Sequence, residues 1–251
     1  MRLLCLAIVA LACLPGASRA EVYVSGHADI GVGFENNNLH LHLHAANPIG
    51  LFGGGTRPAG EYDADEVLIG VPNPTSQRAA GTQWNFLAPN DGDLFWSLPQ
   101  SSNPNKPFLG LGTEELLPSD GWSTLTWTFN SITPVSGANS QFALWQVNES
   151  GVPTAFASTL TPINSANGVN SWTQNALSHD HFNFGFTGQG VYDVSFTIRG
   201  VKTGANAGSY SDTAAFRFVT GDAIATVPEP SSLLLAGWVV AGSILYRRRA
   251  I

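Results

Sequence analysis

Leu39-His40-Leu41-His42-Leu43-His44 carries three of the chain's six histidines, each set off from the next by a leucine. A period of two belongs to a β-strand, in which successive side chains leave opposite faces. The leucines therefore define an apolar face, and His40, His42 and His44 define the other. A strand rises about 3.3 Å per residue, so neighbours on one face stand about 7 Å apart at Cα, close enough for two imidazoles to grip one metal ion. The remaining histidines are grouped too. His27 lies two residues before Asp29, and His179 and His181 repeat the i, i+2 spacing.

Working outward, residues 21–25 alternate as a first strand that ends at Gly26-His27, and Glu35-Asn36-Asn37-Asn38 turns the chain into the histidine strand. This predicts a hairpin that brings His27 and Asp29 toward His40, His42 and His44. A Gly/Pro-rich loop follows over residues 47–62. Its Gly53-Gly54-Gly55 is a turn, because neither Gly-Lys-Ser/Thr nor a helical pattern comes after it. Glu61, Asp63, Asp65 and Glu66 read as a solvated acidic loop. Further strands are predicted over 65–71, 82–87, 93–98, 121–132, 141–147, 192–199 and 214–220, with Trp122 and Trp127 as core residues. His179-Asp180-His181 is read as one strand running on to Phe186, with both histidines on one face and Phe182, Phe184 and Phe186 on the other, leading through a Gly-rich turn into a hairpin. Short strands, frequent turns and no 3.6-residue period predict an all-β fold, a single β-sandwich domain of Ig-like or jelly-roll-like kind.

Composition agrees: 27 Gly, 15 Pro, 14 Phe and 7 Trp accompany only 12% charged residues, while a hydrophobic content of 43% is ample for a core. Between residues 21 and 227 there are 6 Lys and Arg against 17 Asp and Glu, a net −11. An acidic body without a basic cluster argues against nucleic acid as a partner and favours attraction of cations. Both cysteines, Cys5 and Cys13, precede residue 21, so the body offers neither a disulfide nor a thiolate ligand.

The two ends carry addresses. Met1-Arg2, an apolar run over residues 3–14 and the small residues Ser18 and Ala20 read as a signal peptide over residues 1–20, cleaved before Glu21. At the other end, Pro228-Glu229-Pro230 is followed by a short apolar run over residues 233–246 and then Arg247-Arg248-Arg249. These three parts resemble the PEP-CTERM sorting signal of bacterial exosortase substrates. The resemblance implies recognition by exosortase at Pro228, Glu229 and Pro230, and transient anchorage through a short transmembrane segment within residues 227–251. It further implies a destination in the periplasm, at the outer surface or in the extracellular matrix. The β-sandwich is then assigned to residues 21–226.

His27, Asp29, His40, His42, His44, His179 and His181 together offer the nitrogen and oxygen donors that Zn²⁺ takes in fours. Imidazole with one carboxylate also suits Cu²⁺, Ni²⁺ or Fe²⁺. A His-Glu-x-x-His helix and a G-x-S-x-G elbow are both missing, so no catalytic residue is assigned. Ser25-Gly26-His27-Ala28-Asp29-Ile30, Leu98-Pro99-Gln100 and His179-Asp180-His181-Phe182-Asn183-Phe184-Gly185-Phe186 with Gly190-Val191-Tyr192 resemble the choice-of-anchor M surface domain. Phe184 stands where that family often has tryptophan. With the C-terminal signal, the chain is similar to PEP-CTERM proteins repressed by the zinc-uptake regulator. That resemblance implies a secreted zinc-associated protein, with His27, Asp29, His179 and His181 as metal candidates and a metal-uptake system as a possible recipient. Two other readings are a matrix or surface protein braced by a metal, and a zinc-dependent hydrolase with Glu61 or Asp180 as its base.

Overall fold

Alternation along residues 39–44 builds the hairpin at the centre of the protein. The computed structural model describes residues 21–161 and 170–227. Strand β1 (Val22–Glu35) pairs antiparallel with β2 (Asn38–Ala45), with Phe34 opposite Leu39 and Asp29 opposite His44. The turn between them places Asn36 and Asn37 at φ of 51° and 62°. Two successive positive φ values make the type I′ turn that matches strand twist, and asparagine tolerates that conformation well. Leu39, Leu41 and Leu43 are buried in the core, beside Ala28, Ile30 and Val32 of β1.

The remaining strands are β3 (Ile49–Leu51), β4 (Thr56–Arg57), β5 (Gly60–Asp63), β6 (Leu68–Val71), β7 (Ser76–Gln77), β8 (Leu94–Leu98), β9 (Pro107–Gly112), β10 (Thr124–Gly137), β11 (Phe142–Val147), β12 (Pro153–Ser158), β13 (Asn170–Asn175), β14 (His179–His181), β15 (Asn183–Phe186), β16 (Gly190–Lys202) and β17 (Gly208–Thr220). Twelve strands form one sheet in the order β13-β10-β16-β17-β6-β1-β2-β5, with β3, β4, β9 and β14 joined to it through β1. The other five run β12-β11-β15-β8-β7. The two sheets meet in a sandwich-like arrangement through aromatic rings: Phe142 lies 4.9 Å from Phe129 between ring centroids, and Phe186 lies 5.2 Å from Phe218. Trp127 and Trp122 are buried, as expected of core residues.

β1 is the strand on which the larger sheet bends. Its first residues pair with β3 and β6. From Gly26, at φ 99°, it pairs parallel with β9 on one side and antiparallel with β2 on the other. The result is a leaf ordered β14-β9-β1-β2-β5.

Three expectations need correction. Residues 179–186 are two strands: β14 pairs with β9 in the larger sheet, while β15 pairs with β11 and β8 in the smaller one. The chain crosses between sheets at Phe182, whose ring is buried against Phe156 and Trp172. No hairpin follows, because β16 pairs with β10 and β17. Residues 82–87 form a 3-10 turn at Thr82–Trp84 with further turns. Arg78, itself buried, donates there to the carbonyls of Gly81 and Trp84, and Phe86 and Leu87 reach a small core with Phe95 and Trp145 without a strand partner. Finally, β9 was not foreseen at all, though β14 docks on it.

Candidate metal centre

All six histidines stand on one face of the leaf β14-β9-β1-β2-β5. The register shows why. Residues paired across a ladder point to the same face. His181, Gly110, Asp29, His44 and Glu61 form one row across the five strands, and His179, Gly112, Gly31, His42 and Asp63 form the next. His27 lies on the same face opposite Phe108, and His40 opposite Gly33. The alternate residues Ala28, Ile30, Leu41, Leu43, Leu109 and Leu111 point into the core, each no more than 2% exposed.

Glycine makes the histidine face possible. A Cβ on Gly110 would stand 2.1 Å from Asp29 Oδ1 and 3.2 Å from His181 Nδ1. One on Gly31 would stand 2.9 Å from His42 Nε2, and one on Gly33 would stand 3.0 Å from Glu115 Oε2. These strand positions are left bare so that the neighbouring side chains can lie across the backbone and converge.

They converge in two places. At the first, His27, Asp29, His179 and His181 each offer one donor atom, all within 4.8 Å of one another. His179 Nε2 lies 3.3 Å from His27 Nε2, 2.8 Å from His181 Nε2 and 3.3 Å from Asp29 Oδ1. His27 Nε2 is 3.4 Å from Asp29 Oδ2. Asp29 is 4% exposed. The His181 ring stacks on Phe108 with centroids 3.5 Å apart. Glu114 Oε1 sits 3.1 Å from His179 Nδ1, the nitrogen that faces away from the cluster. A carboxylate in that position fixes ring orientation and leaves Nε2 bare.

The surroundings act on the imidazoles in opposite directions. Hydrogen bonding to Asp29 raises the pKa of His27 above its ordinary value, against the effect of burial. Burial lowers that of His181, helped by His179 beside it. His181 is thus biased toward the neutral imidazole that a metal needs.

At the second place, His42, His44 and Glu115 offer donors within 4.8 Å of one another. His42 Nε2 and His44 Nδ1 lie 3.0 Å and 3.3 Å from the same oxygen, Glu115 Oε1. The single histidine-rich site expected from the sequence is therefore divided, and His40 belongs to neither part: its Nε2 is 3.4 Å from Asp63 Oδ1, and both side chains are exposed. The division follows from the stride of β2, which places His44 opposite Asp29, His42 opposite Gly31 and His40 out toward the turn. Asp180 points away from the cluster, held by Gln174 Nε2 at 2.9 Å, and Gln174 also accepts a hydrogen bond from Trp127 Nε1. It is not placed to serve as a base there.

Glu114 and Glu115 escaped the sequence reading. They follow β9 in a turn pinned by two buried residues, Thr113 and Leu116. Thr113 Oγ1 donates to Asn175 O at 2.7 Å, and the Leu116 amide donates to Thr113 O. The one signal for them in the sequence is an acidic pair one residue beyond the alternation Phe108-Leu109-Gly110-Leu111-Gly112.

An all-β sandwich with a glycine-floored histidine face defines the class of this protein. Its address comes from the C-terminus, where residues 226–249 match the PEP-CTERM protein-sorting motif. The motif is the exosortase recognition signal, so the protein is exported and sorted to the cell surface with transient anchorage. No curated protein and no solved structure matches the chain. The expected signal peptide over residues 1–20 and the apolar run over residues 233–246 lie outside the described residues; among those described, no helix is long and apolar enough to cross a membrane.

Proposed function

We propose that this surface protein captures Zn²⁺ through His27, Asp29, His179 and His181 and holds it for release to an uptake system. The supporting observation is the spacing of the donors. Tetrahedral zinc with ligands at about 2.0–2.1 Å needs donor atoms about 3.3 Å apart. His27 Nε2 and His179 Nε2 lie 3.3 Å apart, His179 Nε2 lies 3.3 Å from Asp29 Oδ1 and His27 Nε2 lies 3.4 Å from the other oxygen, Oδ2, with His179–His181 tighter at 2.8 Å; one donor atom from each of the four residues falls within 4.8 Å of the rest. Three imidazole nitrogens and one carboxylate oxygen turn lone pairs toward a common point, the donor set that a divalent cation takes. A single divalent cation satisfies all four.

Four protein donors suit holding an ion, whereas catalytic zinc keeps three and an open position for water. Side-chain exposure of 30% at His27 and 25% at His179 leaves an exit route, which favours exchange over a buried brace. The tetrahedral spacing favours zinc over Cu²⁺ and Ni²⁺, which prefer tetragonal sites. The resemblance to proteins repressed by the zinc-uptake regulator agrees with this reading.

Zinc titration of the full-length chain beside its His179→Ala/His181→Ala variant tests it. Wild type is expected to bind zinc more tightly than micromolar, and the variant to lose that tight site. Absence of any site tighter than micromolar would discard the proposal and leave the histidines as solvated side chains on a matrix protein. A tight ion that leaves only on unfolding would point to the bracing role instead.

A further inference from the structure

We infer that the same face carries a second divalent-cation centre, formed by His42 Nε2, His44 Nδ1 and a Glu115 carboxylate oxygen. It rests on reading this face as metal-holding, but it shares no donor with the first centre. Three features carry it beyond an ordinary histidine–glutamate ion pair.

The first is that two imidazole nitrogens approach one carboxylate oxygen, at 3.0 and 3.3 Å. These are again the edges of a tetrahedron around an ion with bonds of about 2.0–2.1 Å. An ordinary ion pair is satisfied by one ring, whereas here two rings turn a nitrogen toward the same oxygen. The second feature is the burial of His42, whose side chain is 0% exposed. Its ring lies across Gly31 and Gly33: a Cβ at Gly31 would stand 2.9 Å from Nε2, and one at Gly33 would stand 3.5 Å from Cε1. Two bare backbone positions therefore fix the direction of Nε2, as Gly110 makes room for Asp29 in the first centre. The third feature is the turn after β9. It sends Glu114 to His179 and Glu115 to His42 and His44, so consecutive carboxylates serve adjacent clusters.

The two centres differ in kind. The second has three donors and so leaves coordination positions for water, and its His44 and Glu115 are 30% and 29% exposed. It should bind more weakly and exchange faster.

The test is a Co²⁺ titration of the full-length chain, followed by absorption in the d–d region and by metal content. Five proteins are compared: wild type, Glu115→Gln, His44→Gln, His40→Gln and His179→Ala/His181→Ala. Wild type is expected to take two ions, the second at least tenfold weaker. Glu115→Gln and His44→Gln should keep only the tight one, His40→Gln should keep both, and the double variant should keep only the weak one. One ion in wild type with Glu115→Gln and His44→Gln unchanged would overturn the second centre and leave the first standing. No ion in wild type would overturn both. Two ions in Glu115→Gln would remove that residue from the site.

Discussion

The two faces of the leaf β14-β9-β1-β2-β5 are built by opposite rules. On the inner face each position is filled: Ala28, Ile30, Leu41, Leu43, Leu109 and Leu111 pack at 0–2% exposure. On the outer face, large polar side chains alternate with glycine and converge where the strand offers nothing. The first face is set by volume and the second by vacancy at Cβ. The same backbone serves both because alternation assigns every other residue to each. Stability and site geometry should therefore be separable by mutation.

The largest effect expected belongs to the inner face. Leu41→Ala removes a buried side chain and leaves a cavity, at a cost of about 3 kcal/mol, within the usual 2–5. For a domain of this size, that lowers the melting temperature by roughly 6–12 °C. Thermal melting of the metal-free variant measures it, and its zinc affinity at low temperature should stay near that of wild type. A matched loss of affinity would show that the faces are not independent. Next in size is Gly110→Ala on the outer face. The added Cβ would stand 2.1 Å from Asp29 Oδ1, in a site where Asp29 is too enclosed to swing clear. Displacing one donor should weaken zinc by about 100-fold, the upper end of what disturbing a ligand's support costs. Relieving that contact, and the one at 3.1 Å to Asp180 O, also costs the metal-free fold, so affinity is compared where both proteins are folded. Unchanged affinity would remove Asp29 from the site.

This contrast also explains what the sequence disclosed. The histidine–leucine strand, the asparagine turn and the hairpin could be read directly, because period two with two sizes of side chain is a strong signal. The grouping of His27 and Asp29 with His179 and His181 came only from the family resemblance, since the residue pattern alone placed His27 and Asp29 beside His40, His42 and His44. β9 could not be read, since its outward positions Gly110 and Gly112 remove the polar half of the alternation, and a strand of leucine and glycine resembles a turn. Its parallel pairing with β1 spans about eighty residues of sequence, so no local pattern announces it. Glu115 was hidden for a related reason: an acidic pair beyond a glycine-rich strand looks like solvated loop, and only the register of β9 against β1 aims it at His42. The division of one expected site into two follows from the same geometry.

The smallest expected effect is a pH dependence that sharpens the comparison within the outer face itself. Burial lowers the pKa of His42, but hydrogen bonding and charge from Glu115 outweigh it, so the net shift is upward from 6.5. The hydrogen bond from His42 lowers Glu115 below its ordinary 4.5, against the effect of burial. A raised histidine pKa stabilises the fold fully below 6.5, and the gain is lost as pH rises through the raised value. A lowered glutamate pKa stabilises it above 4.5, and that gain is lost as pH falls through the lowered value. The metal-free pair thus contributes most between about pH 4.5 and 6.5. Zinc reverses the upper limit, because it needs the bare imidazole and binds more tightly as the proton leaves. Melting of wild type and Glu115→Gln across pH should therefore show their widest gap in that window without metal. In excess zinc the gap should widen toward higher pH. A gap that ignores both pH and zinc would mean that Glu115 braces the turn after β9 and does not engage His42 electrostatically.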